Sequence, residues 1–129
     1  MPNSRPLPKP TPAELDLLRL LWRLGPSTVK QVHEARALEQ SDAAYATVLR
    51  MLQIMHGKGL LTRDERQRSH VYAAAAAQDS LQTNLLQDLI QKAFSGSGKA
   101  LVMTALRGHV TDEERAEIQR FLEESDDDR

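Results

Sequence analysis

Between Ala43 and Gly59 the chain carries no acidic residue. Read as a helix centred on Val48, this stretch places Ala44, Met51, Leu52 and Met55 on one apolar face. Ala46, Arg50, Gln53 and Gly57 lie opposite, with Thr47 and Leu49 on the flanks. A face of small residues with one arginine and one glutamine suits the major groove of DNA. Small residues allow close approach, and the two longer side chains can hydrogen-bond base edges. An ordinary solvated helix face usually mixes in glutamate, and this one has none. Shortly after come Arg63, Arg66 and Arg68, with Ser69 and His70, interrupted by Asp64 and Glu65. That cluster fits a loop that follows phosphates or enters a minor groove, where arginine is favoured.

Other chemistries find no support. His33, His56, His70 and His109 show no close ligand spacing, and there is no cysteine, so neither a metal site nor a cofactor is expected. No Gly-x-Ser-x-Gly elbow exists. Ser69 and His70 are neighbours on an expected strand, where successive side chains point to opposite faces. Gly96-Ser97-Gly98-Lys99 lacks both the spacing of a phosphate loop and a preceding strand, and reads as a turn and a helix cap. With no catalytic constellation, the chain is not expected to be an enzyme.

The elements that position these residues follow from pattern and composition. The chain has 129 residues, 40% of them apolar, and only 4% aromatic, so leucine and alanine must fill the core. Mean hydropathy is −0.49. No apolar run approaches the roughly 18 residues of a membrane span. Met1 to Pro10 has no apolar core of a secretory signal, so a cytoplasmic location is expected. The net charge of −1 hides an asymmetry. Residues 1–72 carry 11 Lys+Arg against 7 Asp+Glu, a net +4, whereas residues 73–129 carry 6 against 11, a net −5. One half is therefore suited to face an anion.

Residues 1–10, with four prolines, read as a flexible arm in which Arg5 and Lys9 can touch phosphate. Thr11-Pro12-Ala13-Glu14 is a capping box that opens a helix to about Leu24, stopped by Gly25-Pro26. Thr28 to Gln31 repeats the box and opens a second helix to about Leu38. Ser41 or Asp42 is the expected cap of the third helix, from about Ala43 to His56, which ends at a left-handed glycine in Gly57-Lys58-Gly59. Leu60 to Thr62 and His70 to Ala73 flank the polar tip as a hairpin. Helix, helix, helix, hairpin is the order of a winged helix-turn-helix, here assigned to residues 11–75. Ala73 to Ala77 fits either the end of the strand or the start of the next helix.

Residues 76–124 form a helical region of three short helices, followed by an acidic tail at 125–129. So few helical residues bury too little surface to stand alone. A second copy of the chain is the expected remedy, with Leu85, Leu89, Leu101, Val102 and Leu122 as the stripe that forms a dimer interface or its supporting core. The fold class expected is mainly α with a small β-hairpin: a winged helix-turn-helix followed by a helical dimerisation region. A winged helix serving only as a protein-interaction module would carry acids on the outer face of the third helix, and they are missing.

Ala44-Tyr45-Ala46-Thr47-Val48-Leu49, leading through Arg50 to Gly57-Lys58-Gly59-Leu60-Leu61-Thr62 and then His70-Val71-Tyr72, resembles the penicillinase-repressor family (BlaI/MecI/CopY type). The Leu-Leu-Trp of the first helix and the stretch from Phe94 to Glu124 are similar to the family's first helix and dimerisation end. The resemblance covers roughly residues 11–124. It implies a homodimeric winged-helix transcriptional repressor bound to a double-stranded operator that is an inverted repeat. It also implies DNA contacts from Tyr45, Ala46, Thr47 and Arg50, with Arg68 in the wing. Copper-responsive members end in a cysteine motif that this chain lacks. Antibiotic-responsive members are cut at an Asn-Phe bond in the helix after the Gly-Ser turn. The matching positions here are Thr104 and Ala105, with a membrane sensor peptidase as the implied partner.

Overall fold

The computed structural model describes residues 8–40 and 44–127. The expectations for Arg5 and for a cap at Ser41 or Asp42 fall outside the described residues. In chain order the elements are α1 (Pro12–Leu24), β1 (Ser27–Thr28), α2 (Val29–Gln40), α3 (Tyr45–Gly57), β2 (Leu61–Asp64), β3 (Val71–Ala74), α4 (Gln78–Ala93), α5 (Gly98–Gly108) and α6 (Asp112–Asp127). The chain divides into two compact units, one ending at Leu85 and the other running from Leu86. Helix α4 thus begins in the first and ends in the second.

In the first unit, local chemistry sets the helix starts. Glu14 N–H donates to Thr11 Oγ1 at 3.2 Å and Thr11 N–H to Glu14 Oε1 at 2.9 Å, the reciprocal capping box of α1. Gln31 N–H and Thr28 Oγ1, at 3.2 Å, with Thr28 N–H and Gln31 Oε1, at 2.8 Å, repeat it at α2. Helix α3 has its cap residue at Ala44, which offers no side-chain acceptor.

The sheet differs from the expected two-stranded hairpin. It has three antiparallel strands in the order β1-β3-β2, with Ser27 opposite Tyr72 and Thr28 opposite Val71. Two residues are too few to show an alternating pattern; β1 exists because β3 offers it a free edge. The β2–β3 register runs from Leu61↔Ala74 to Asp64↔Val71. The core joins Leu17, Leu21, Val32, Val48, Leu52 and Tyr72, each no more than a few per cent exposed. Leu81, at the start of α4, is buried in the same cluster, and Leu85 packs against it. The alanine run therefore ends the strand at Ala74 and crosses to α4, tied back where Trp22 Nε1–H donates to the Ala76 carbonyl at 3.0 Å.

A buried charge fixes the start of α1 to the end of α3. Lys58 Nζ donates to Glu14 Oε1 at 2.6 Å, with the Glu14 side chain only 9% exposed. Burial pushes the Glu14 carboxyl up, but hydrogen bonds from Lys58 and Thr11 outweigh it and hold the group below its ordinary 4.5. A carboxyl with a lowered folded pKa stabilises the fold above its unfolded value, and that stabilisation is lost as pH falls through the folded value. The Glu14→Gln chain is therefore expected to be less stable at neutral pH. Its urea midpoint should also fall less than that of the unsubstituted chain between about pH 5 and pH 3. Parallel decline of the two chains would show that the bridge contributes nothing.

The second unit is built differently. Helix α4 closes with Gly96 N–H donating to the Ile90 carbonyl at 2.9 Å, with Ser95 at φ 52° and Gly96 at φ 84°. This six-residue closure needs left-handed backbone, which glycine adopts freely. Ser97 Oγ accepts from Ala100 N–H at 3.0 Å and caps α5, as the turn-and-cap reading of this segment expects. Thr111 and Glu114 form a third capping box at α6, and the Arg115 guanidinium donates to the Leu106 carbonyl at the end of α5. Helix α6 continues to Asp127, beyond Glu124 and into the stretch read as an acidic tail. Every buried apolar residue described lies at or before Leu81, so none belongs to this unit. Its large apolar side chains are exposed instead, Phe121 by 66% and Leu122 by 57%.

Candidate nucleic-acid interface

Helix α3 divides as the period requires. Val48, Leu52 and Met55 are fully buried against α1, α2 and the sheet, while Ala46, Thr47, Arg50 and Gln53 are exposed. Leu49 is half-buried on the flank. Ala44, expected on the core face, is exposed because it is the cap rather than part of the first turn. With neither a side-chain cap nor an acid in that turn, nothing in it offsets the partial positive charge of the helix N-terminus.

Tyr45 stands at that end, half-exposed, its ring edge-on to His33 of α2 with centroids 5.7 Å apart. From here an open groove of about 220 Å³ runs towards β3. Tyr45, Gln53, Lys30, Arg68, Ser69 and His70 are among its lining residues, and no acid is. The structure thus brings Tyr45 and Gln53 of α3 together with Arg68 and Ser69 of the wing. Lys30, at the start of α2, joins them. Sequence reasoning missed Lys30, although its place directly behind the Thr28 cap was a signal, since a residue there faces the same side as the helix start.

The wing tip holds its arginines unequally. Arg66 forks onto Asp64, with Nε to Oδ1 at 3.0 Å and a terminal nitrogen to Oδ2 at 2.7 Å, while its backbone N–H also donates to Oδ1 at 3.0 Å. These bonds from Arg66 hold the Asp64 carboxyl down at about 2. Arg63 donates to Glu65 at 2.7 Å and lies over the Tyr72 ring, 6.0 Å from its centroid. Its hydrogen bond lowers the Glu65 carboxyl below the ordinary range. Among the described residues, Arg50 and Arg68 are engaged by no carboxylate.

The remaining site expectations lie in α4, α5 and α6. Leu89, Val102 and Leu122 are exposed, Leu101 is half-buried, and Leu85 belongs to the core of the first unit. Thr104 and Ala105 sit inside the unbroken helix α5, with Thr104 Oγ1 donating to the Ala100 carbonyl at 2.9 Å. Among the described residues no group of three histidine, aspartate or glutamate side chains can hold a metal ion. No helix among them is long and apolar enough to cross a membrane.

The profile of a family described as penicillinase repressor matches residues 10–124. The "Transcriptional regulator BlaI" of Mycobacterium tuberculosis, from strains CDC 1551 and H37Rv, is 32% identical over 105 residues, covering 81% of this chain and 75% of the relative. Among solved structures, a Glu-to-Ala mutant of ZitR from Lactococcus lactis overlaps with a TM-score of 0.45 at 17% identity. That overlap covers 99% of this chain and 81% of the other.

Proposed function

The chain belongs to the penicillinase-repressor family, and from that premise and the geometry of α3 we propose that it is a dimeric, sequence-specific repressor that binds an inverted-repeat operator in double-stranded DNA. Its relatives are transcriptional regulators and it is not an enzyme. The observation that carries the reading is the acid-free outer face of α3, with Ala46, Thr47, Arg50 and Gln53 exposed beside Arg68 and Ser69. Ala46 and Thr47 admit the helix to the major groove, and Arg50 and Gln53 read base edges. Tyr45 and the unneutralised start of α3 meet phosphate, as do Lys30, Arg68 and Ser69.

The second unit supplies the pairing. Its exposed Leu89, Val102, Phe121 and Leu122 lack a core of their own and gain one against a second copy. The reading places the protein in the cytoplasm, with release from DNA by cleavage at Thr104–Ala105 by a membrane sensor peptidase. Because that bond lies within α5, cutting requires the helix to open locally.

The test compares two arginines on a duplex enriched from a random-sequence pool by the full-length chain. Arg50→Ala is expected to cost about 1–3 kcal/mol and to relax the base preference at one position. Arg68→Ala should weaken all sequences about equally and lower the salt slope by about 1. If Arg50→Ala leaves both affinity and base preference unchanged, the face assigned to the groove is the wrong one.

A further inference from the structure

The DNA reading leaves the wing with a feature it does not require: two of its three arginines are already engaged by carboxylates from the same tip. We propose that Asp64 acts as an internal stand-in for a phosphate, holding Arg66 off the DNA and setting the operator affinity below what the wing's arginines can deliver. This rests on the DNA-binding reading above.

The geometry separates the three arginines. Arg68 has no acid partner among the described residues and lines the groove beside α3, so it meets phosphate directly. Arg63 is only 23% exposed and is held both by Glu65 and over Tyr72, so it belongs to the wing's own structure. Arg66 is the one that can exchange partners. Its side chain is 88% exposed, yet its guanidinium is saturated on one edge by both oxygens of Asp64. A forked guanidinium–carboxylate pair has the same planar geometry as a guanidinium on phosphate. Moving Arg66 onto DNA therefore trades one such pair for another and leaves a bare Asp64 close to the backbone. The two costs together keep Arg66 where it is.

Asp64→Asn isolates the effect. The amide oxygen still accepts the Arg66 backbone N–H, so the turn keeps its bond, but the charge that detains the guanidinium is gone. One additional phosphate contact steepens the slope of log affinity on log salt by about 0.9, which at about 0.1 M salt is an eightfold gain per wing. The measurement is a salt titration of the full-length chain, the Asp64→Asn and Arg66→Ala variants and the double variant. The probes are the selected duplex and a scrambled duplex of equal length. The expected pattern is a gain of that size and a steeper slope for Asp64→Asn on both duplexes. Arg66→Ala alone should change little, and Arg66→Ala should erase the gain in the double variant. Glu65→Gln should gain less, because Tyr72 also keeps Arg63.

Three outcomes overturn the proposal. One is an Asp64→Asn chain with unchanged affinity and slope. Another is an Arg66→Ala chain that already binds more weakly with a shallower slope, since Arg66 would then be on phosphate. The third is a double variant that keeps the gain, since Asp64 would then act by plain repulsion. An unsubstituted chain that binds neither duplex nor any member of the pool overturns the DNA reading itself, and this proposal with it.

Discussion

Raising monovalent salt from 50 to 200 mM is expected to weaken the paired chain's hold on its operator by about 10³. The size follows from counting cations. Lys30, Arg50 and Arg68 face the same groove-side surface as α3, and no carboxylate engages Arg50 or Arg68 among the described residues. Two copies bring roughly six such contacts, and about 0.9 counterion is released for each. Had the two Arg66 side chains also been on phosphate, the same salt step would cost about 10⁴. The titration thus counts contacts as well as detecting them. A loss of less than tenfold would mean that recognition does not run through phosphates, and the charge asymmetry between the two halves of the chain would need another explanation.

The second large effect concerns assembly. Phe121→Asp combined with Leu122→Asp is expected to give a folded monomer with almost no operator binding. Both side chains are mostly exposed in the single chain, so replacing them should leave the helical circular dichroism unchanged. In a pair they would be covered, and placing an unpartnered carboxylate there costs several kcal/mol. The operator would then meet one recognition helix instead of two held on a two-fold axis. A nanomolar complex that keeps half of its binding free energy falls to the tens of micromolar range, a loss on the order of 10⁴. Sedimentation decides the matter. A double variant that still sediments as a dimer moves the interface elsewhere, and an unsubstituted chain that is monomeric at micromolar concentration removes it.

What was legible in the sequence was what short-range chemistry writes there. The box of Thr11 and Glu14 announced α1 because both partners lie within one turn, and the period around Val48 separated the buried and outer faces of α3 correctly. What was not legible depended on distant partners. Strand β1 is defined by its pairing with β3, more than forty residues away, and carries no pattern of its own. Glu14 looked like a cap and nothing more, although Lys58 makes it a tie between α1 and α3. Leu81 and Leu85 continue the apolar stripe of α4 without a break, so the period could not reveal that they pack into the first unit. At the wing, the alternation of arginine and acid showed that charges were mixed. Which acid would take which arginine depends on the curl of the turn: Arg66 reaches back to Asp64, and Glu65 is left for Arg63.

Trp22 is the chain's single tryptophan, and its indole N–H donates to the Ala76 carbonyl in the segment between sheet and α4. That placement gives the molecule an intrinsic optical probe. Indole emission responds to polarity and to loss of a hydrogen bond, and no other tryptophan contributes to the signal. Loosening of the alanine segment, whether by strain on α4 or by heat, would therefore register as a red shift from this one ring. The winged half would report on its own joint to the rest of the chain without an attached label.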